Sequence, residues 1–172
     1  VEEIARNTQY FTYLSDCPTK PRVILGDARL KLEEASNHNY NLIILDVFSS
    51  DSIPLHLLTS EAFTVYRKKV DSEKGIIFYH ISNRYLDLGP FIARIIDSQD
   101  WEPYFFHFKN PNNEKHVNRS IWVAAIPPES PWLNTLKEAG FNRMEVSEKT
   151  PLWTDGYSNI LSAISFQSVT AN

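Results

Sequence analysis

Four apolar residues, Leu42-Ile43-Ile44-Leu45, run without a polar break and stop at Asp46. Such an unbroken run predicts a strand buried on both faces. A second run, Ile76 to Ile81, follows Gly75 and predicts another strand. Between the two, Phe63, Tyr66 and Val70 recur at helical spacing, and Thr59 or Ser60 is placed to open that helix. Leu88, Phe91, Ile92, Ile95 and Ile96 follow the i, i+3, i+4, i+7, i+8 pattern, which predicts a helix over 88–98 with Pro90 in its first turn.

The flanks read less regularly. Val1, Ile4, Thr8 and Phe11 would share one face of a helix over 1–14, which Pro18 and Pro21 end. Arg22 to Gly26 predicts a short strand running into Asp27, which can cap the next helix. Segments 101–108 and 120–126 predict two strands joined by a polar loop, and a helix begun at Ser130-Pro131 ends at Gly140. A short helix is expected over 157–164. Strands alternating with helices, then a terminal antiparallel pair, indicate one α/β domain over 1–172 with a mainly parallel sheet. The Gly-rich turn that cradles phosphates in many such sheets is missing, since Gly26 stands alone and the chain holds only five glycines.

Composition narrows the function. With 42% hydrophobic and 13% aromatic residues, the chain can build a full core. A net charge of −4 without a basic stripe argues against nucleic-acid binding. No run approaches the roughly 18 apolar residues that cross a bilayer, so no membrane contact by this segment is expected; a single cysteine is compatible with a reducing compartment, and a cytoplasmic location is expected. One cysteine, Cys17, and five dispersed histidines offer no metal-ligand spacing, and no metal is expected.

The chemistry gathers where the first buried strand ends. In open α/β sheets, ligands bind beyond the carboxyl ends of the strands. Asp46 occupies that position, and Asp51 follows in a small polar loop before Pro54.

Three segments together resemble the spermidine synthase family: Gly26-Asp27-Ala28-Arg29-Leu30, Leu45-Asp46 through Asp51 and Pro54 to Glu61, and Trp153-Thr154-Asp155-Gly156-Tyr157 with Asn159 and Leu161. Tyr10 to Leu14 and His80 to Leu86 look similar to the same group. The match is closest to the spermidine-synthase-like domains that end some bacterial multi-span membrane chains. The resemblance implies a Rossmann-like fold of the S-adenosylmethionine-dependent methyltransferase type, lacking here its first strand, glycine loop and second strand. On that basis the domain is N-terminally incomplete, the soluble part of a membrane-anchored chain is one setting for it, and the isolated chain is expected to be inactive.

The same resemblance implies roles. Asp27, with the Ala28 amide, would touch the adenine of decarboxylated S-adenosylmethionine or S-adenosylmethionine. Asp46 would border the reacting centre and handle the amine proton. Asp51 would hold a cationic amine, although it lies five residues after Asp46 where polyamine synthases usually have three. Asp155 and Tyr157 would complete the substrate side, with Gly156 where relatives commonly carry a second acid.

Aminopropyl transfer suits such acids. An amine with a pKa of about 10.4 arrives protonated, so a site must attract a cation and remove a proton. Clustered carboxylates would do both, and their repulsion would raise one pKa. The alternatives are a methyltransferase acting on another small substrate and a non-catalytic regulatory or assembly domain. The two absent strands would also leave the 40–46 strand with an open edge. Pairing with 22–26 or a second subunit, making a homo-oligomer, would close it.

Overall fold

The computed structural model describes residues 2–46, 54–83, 85–110, 115 and 119–164. Five strands form one sheet: β1 (Leu42–Leu45), β2 (Ile76–His80), β3 (Glu102–Phe108), β4 (Ser120–Ile126) and β5 (Asn142–Arg143), in the order β1-β2-β4-β3-β5. The α/β class therefore holds. Its parallel part is the β1–β2 pair, joined through a helix as a parallel crossover requires. The other three pairings are antiparallel, because β3 and β4 form a hairpin that inserts β4 beside β2. A mainly parallel balance is thus corrected to a mixed sheet.

Among the described residues five α-helices accompany the sheet: α1 (Glu2–Arg6), α2 (Ala28–Glu33), α3 (Ser60–Lys69), α4 (Gly89–Asp97) and α5 (Leu133–Glu138). The Thr59 hydroxyl accepts the Ala62 amide and caps α3, as the sequence indicated. Pro90 sits in the first turn of α4, and five of that helix's apolar residues are buried: Phe91, Ile92, Ala93, Ile95 and Ile96. Gly140, at φ +89°, stops the chain after α5 in a conformation few other residues adopt.

Two cores result, one on each face of the sheet. Ile43, Leu45, Ile77, Tyr79, Val123 and Ala125 face α3 and α4 in the main core, with Trp153 and Trp101 beneath. On the opposite face Ile76, Tyr104, Ala124 and Ile126 pack against Leu136 of α5. The register Leu42↔Ile76 puts Leu42 and Ile44 on this second face too. They are 45% and 54% exposed, because the six-residue α5 packs on β2, β4 and β3 and does not cover β1. The expectation of burial on both faces fails for this reason.

The N-terminal expectations also need correction. Helix α1 stops at Arg6 and buries nothing, so Ile4 and Phe11 lie exposed and find no core to face. Residues 21–25 form no strand, and Val23, Ile24 and Leu25 are all exposed. Pairing of 22–26 with β1 is therefore not the way its edge is closed. Lys69, buried at the end of α3, donates to the carbonyls of Glu33 and Ala35 and to Asn37 Oδ1. Three acceptors satisfy all three ammonium protons, which lets a cation sit inside and ties α2 to α3.

Candidate functional site

Asp46 follows directly on β1, at the carboxyl end of a strand whose neighbour β2 runs parallel. The register of that pair carries Leu45 opposite Tyr79, so Asp46 and His80 come next in line. Their side chains meet: His80 Nδ1 lies 2.7 Å from Asp46 Oδ1. On its other side His80 Nε2 lies 2.7 Å from Ser82 Oγ, which also accepts the Ile121 amide at 2.9 Å. The His80 ring stacks on Trp122 at 4.5 Å between centroids and 22° between planes. The Asp46 side chain is 64% exposed, so the carboxylate opens to solvent while the imidazole is sandwiched behind it.

A second polar cluster surrounds α2. Asp27 Oδ1 accepts the Leu30 amide and caps the helix, and its Oδ2 lies 3.0 Å from His56 Nε2. The Leu30 amide, reinforced by His56, holds the Asp27 carboxyl below its ordinary range. Ala28 begins the helix itself. Arg29 then reaches Asp155 with both terminal guanidinium nitrogens, at 2.7 and 2.8 Å, and donates also to the His56 carbonyl.

The loop that carries Asp155 is built for this contact. Thr154 and Tyr157 exchange backbone hydrogen bonds, leaving Asp155-Gly156 at the tip of a tight turn. Thr59 donates its hydroxyl to Asp155 Oδ1, while the Asp155 amide binds Glu61 Oε2. Arg29 holds the Asp155 carboxyl low. The rise in pKa expected from clustered acids is therefore not what Asp155 shows: its nearest charge is a cation. Tyr157 is 53% exposed beside this turn. Asp51 falls within 47–53, outside the described residues, as does Arg84. Asn83 is a turn residue whose Oδ1 accepts the amides of Tyr85 and Leu86.

The structure thus brings Asp27, Arg29, Thr59 and Asp155 into one network and gives Asp46 a different partner. Arg29, His56, Thr59, His80 and Ser82 were not singled out as site residues from the sequence. A signal for His80 was present. Two parallel strands that end together place 46 beside 80, given the Leu42-to-Ile76 alignment of their apolar runs. No such signal existed for Arg29 and Asp155, whose contact depends on the folding of the tail.

No protein-family model matches the chain, and no curated protein does. Among solved structures it is similar to a probable spermidine synthase from Corynebacterium glutamicum, with a TM-score of 0.54 at 16% identity. The match covers 80% of this chain and 57% of that one, so the chain spans little more than half the length of that structure. At this identity the likeness concerns the fold, which is that of a spermidine-synthase-like, Rossmann-type domain.

Proposed function

We propose that the chain is the amine-handling part of an aminopropyltransferase, moving an aminopropyl group from decarboxylated S-adenosylmethionine to a small amine. The observation that supports this reading best is the Asp46 carboxylate, exposed at the carboxyl end of β1 and held by His80 at 2.7 Å. A carboxylate there attracts an ammonium group and accepts one of its protons as the freed lone pair attacks the carbon beside the sulfonium. The new C–N bond forms as the C–S bond breaks, and the thioether leaves neutral.

In this reading Asp51 and Tyr157 contribute to holding the amine and its carbon chain. Asp155 assists from a distance, because Arg29 already compensates its charge; its part is to fix the turn that carries Tyr157. Asp27 faces the adenine. Its two bound oxygens keep lone pairs that an exocyclic amino group could use, and the helix cap sets its direction. A methyltransferase acting on a neutral acceptor would not require the Asp46 charge.

The test is transfer itself, followed by mass spectrometry with donor and diamine both at millimolar concentration. The isolated chain is expected to be inactive at ordinary donor levels, and millimolar donor, which offsets its weak nucleoside binding, should drive slow product formation that Asp46→Asn lowers by about 10²-fold or more. Product formation equal in the wild type and Asp46→Asn, or absent from both, overturns the reading. A non-catalytic assembly role is the second reading, favoured by the uncovered apolar face of β1.

A further inference from the structure

We propose that Ser82, His80 and Asp46 form a nucleophilic relay, with Ser82 able to take up acyl groups from small activated esters or thioesters. This activity does not rest on the aminopropyl reading and needs no nucleoside donor. The juxtaposition is a continuous line of three side chains, Ser82 Oγ to His80 Nε2 at 2.7 Å and His80 Nδ1 to Asp46 Oδ1 at 2.7 Å.

The direction of each hydrogen bond follows from its neighbours. Asp46, ionised, can only accept, so His80 Nδ1 must carry the hydrogen. When the ring is neutral its lone pair is then on Nε2, and Ser82 donates to it. Ser82 is free to do so because its oxygen accepts from the Ile121 amide at 2.9 Å and its single hydrogen is not used there. The reverse tautomer would turn a bare Nδ1 lone pair towards a carboxylate. The resulting polarity, hydroxyl to imidazole to carboxylate, is the one an activated serine requires.

The surroundings suit the charge that develops. When Nε2 takes the hydroxyl proton, the ring becomes a cation between the Asp46 carboxylate and the face of Trp122, both of which favour positive charge. The Ile121 amide meanwhile holds one lone pair of Ser82 Oγ and leaves the other for attack on the carbonyl carbon. Ser82 and His80 are both partly buried, whereas Asp46 is open, and the imidazole is held between the hydroxyl, the carboxylate and the Trp122 ring.

The reaction balances without a co-reactant other than water. Ser82 Oγ bonds to the carbonyl carbon as its proton passes to His80 Nε2, and the carbonyl π pair moves onto oxygen. Collapse of that intermediate breaks the bond to the leaving oxygen or sulfur, which takes the proton from Nε2. Water, deprotonated by His80, then releases the acyl group and restores Ser82. Here Ser82 and His80 are catalytic, and Asp46 is a positioning residue.

A fluorophosphonate probe tests this on the full 172-residue chain, read by intact mass and peptide mapping. The expected result is one adduct, on Ser82, with the labelling rate about 10²-fold or more lower in His80→Ala and in Asp46→Asn. Asp46 lies exposed at a strand end, so its variant keeps the fold and isolates the relay. Nitrogen-15 spectra of the wild-type ring should show the Nδ1–H tautomer. An absent adduct, an adduct elsewhere, an undiminished rate in Asp46→Asn, or an Nε2–H tautomer each overturns the relay. The labelling outcomes leave aminopropyl transfer untouched, since it is measured by a different product, whereas an Nε2–H tautomer would also release the Asp46 carboxylate from His80.

Discussion

Arg29 and Asp155 stand 126 residues apart in the chain and form a two-pronged ion pair, with both oxygens of the carboxylate bound. Arg29 sits in the first turn of α2, and Asp155 is carried by the tail turn, so the pair fastens the N-terminal third of the chain to its end. Thr59 and the His56 carbonyl join the same guanidinium and carboxylate, which makes the contact a junction of three segments. Two-pronged geometry raises its worth, but the Asp155 side chain is 45% exposed and water screens the charge. Arg29→Ala should therefore cost about 1–2 kcal/mol and Asp155→Asn about 1 kcal/mol or less. In a chain of this size, that means a melting temperature lower by about 2–8 °C for Arg29→Ala. Thermal unfolding followed by circular dichroism checks it; an unchanged midpoint for Arg29→Ala would mean the junction contributes nothing.

The same pair predicts an acid response. Arg29 first, then Thr59, holds the folded Asp155 carboxyl below its ordinary value. A depressed folded pKa gives stability that is present above the unfolded value of about 3.9 and is lost as pH falls through the lower folded one. Asp27 and Asp71 are shifted the same way, chiefly by the amides of Leu30 and Lys74 respectively. The wild type should thus lose stability below about pH 4. Arg29→Ala should show a shallower loss, since Asp155 would no longer be depressed. Denaturant midpoints measured from pH 6 down to about pH 2.5 compare the two slopes directly, and parallel curves would remove Arg29 as the cause.

Trp153 predicts a larger effect by a different route. It is fully buried and stacks on Phe91 at 4.5 Å and 23°, joining the tail to α4. Among the described residues its Nε1 has no hydrogen-bond partner. Trp153→Ala should cost about 3–5 kcal/mol through the cavity it leaves. Trp153→Phe should cost clearly less, because it keeps an aromatic face and gives up no hydrogen bond. Equal losses in chemical denaturation would show that the indole nitrogen matters after all.

Nucleoside binding should be weak for this chain. Phosphate- and ribose-gripping loops rely on clustered glycines that let backbone amides approach a ligand. Here Gly26, at φ +139°, serves only the single bend before the Asp27 cap, and Gly75, Gly89, Gly140 and Gly156 lie far apart along the chain. Isothermal titration with S-adenosylmethionine or its decarboxylated form should give a dissociation constant weaker than about 100 µM. Micromolar affinity would show that the α2 cluster alone makes an adenine site.

Local pattern carried much of this fold into view. Strands β2, β3 and β4, helices α3 and α4, and the caps at Asp27 and Thr59 follow from periodicity and from the chemistry of a few residues. What periodicity could not show was which faces would be covered. An apolar run such as Leu42–Leu45 states that burial is available, and a helix elsewhere in the chain decides whether it occurs. The 1–14 stripe fails similarly, since an amphipathic face without a neighbour does not hold a long helix. Among site residues, the strand-end position of Asp46 was legible, as was the Asp155-Gly156 turn. The compensation of Asp155 by Arg29 was not, because long-range ion pairs leave no local trace.

The open side of β1 carries the last prediction. Leu42 and Ile44 point away from the main core, onto the sheet face that α5 leaves uncovered at this end, and β1 is an edge strand in the sheet order. An apolar edge with unpaired backbone groups invites another strand, and Val23, Ile24 and Leu25 add exposed apolar surface elsewhere. Burial of apolar area would drive association, while the outward side chains contribute little to the monomer's own stability. Ile44→Lys should therefore reduce self-association at least severalfold in sedimentation velocity and leave the dilute melting temperature within about 2 °C. If the wild type sediments as a strict monomer at high concentration, this edge is not a meeting surface for copies of the chain. If Ile44→Lys instead lowers the melting temperature sharply at low concentration, the residue is supporting the monomer, and the face is more covered than its exposure indicates.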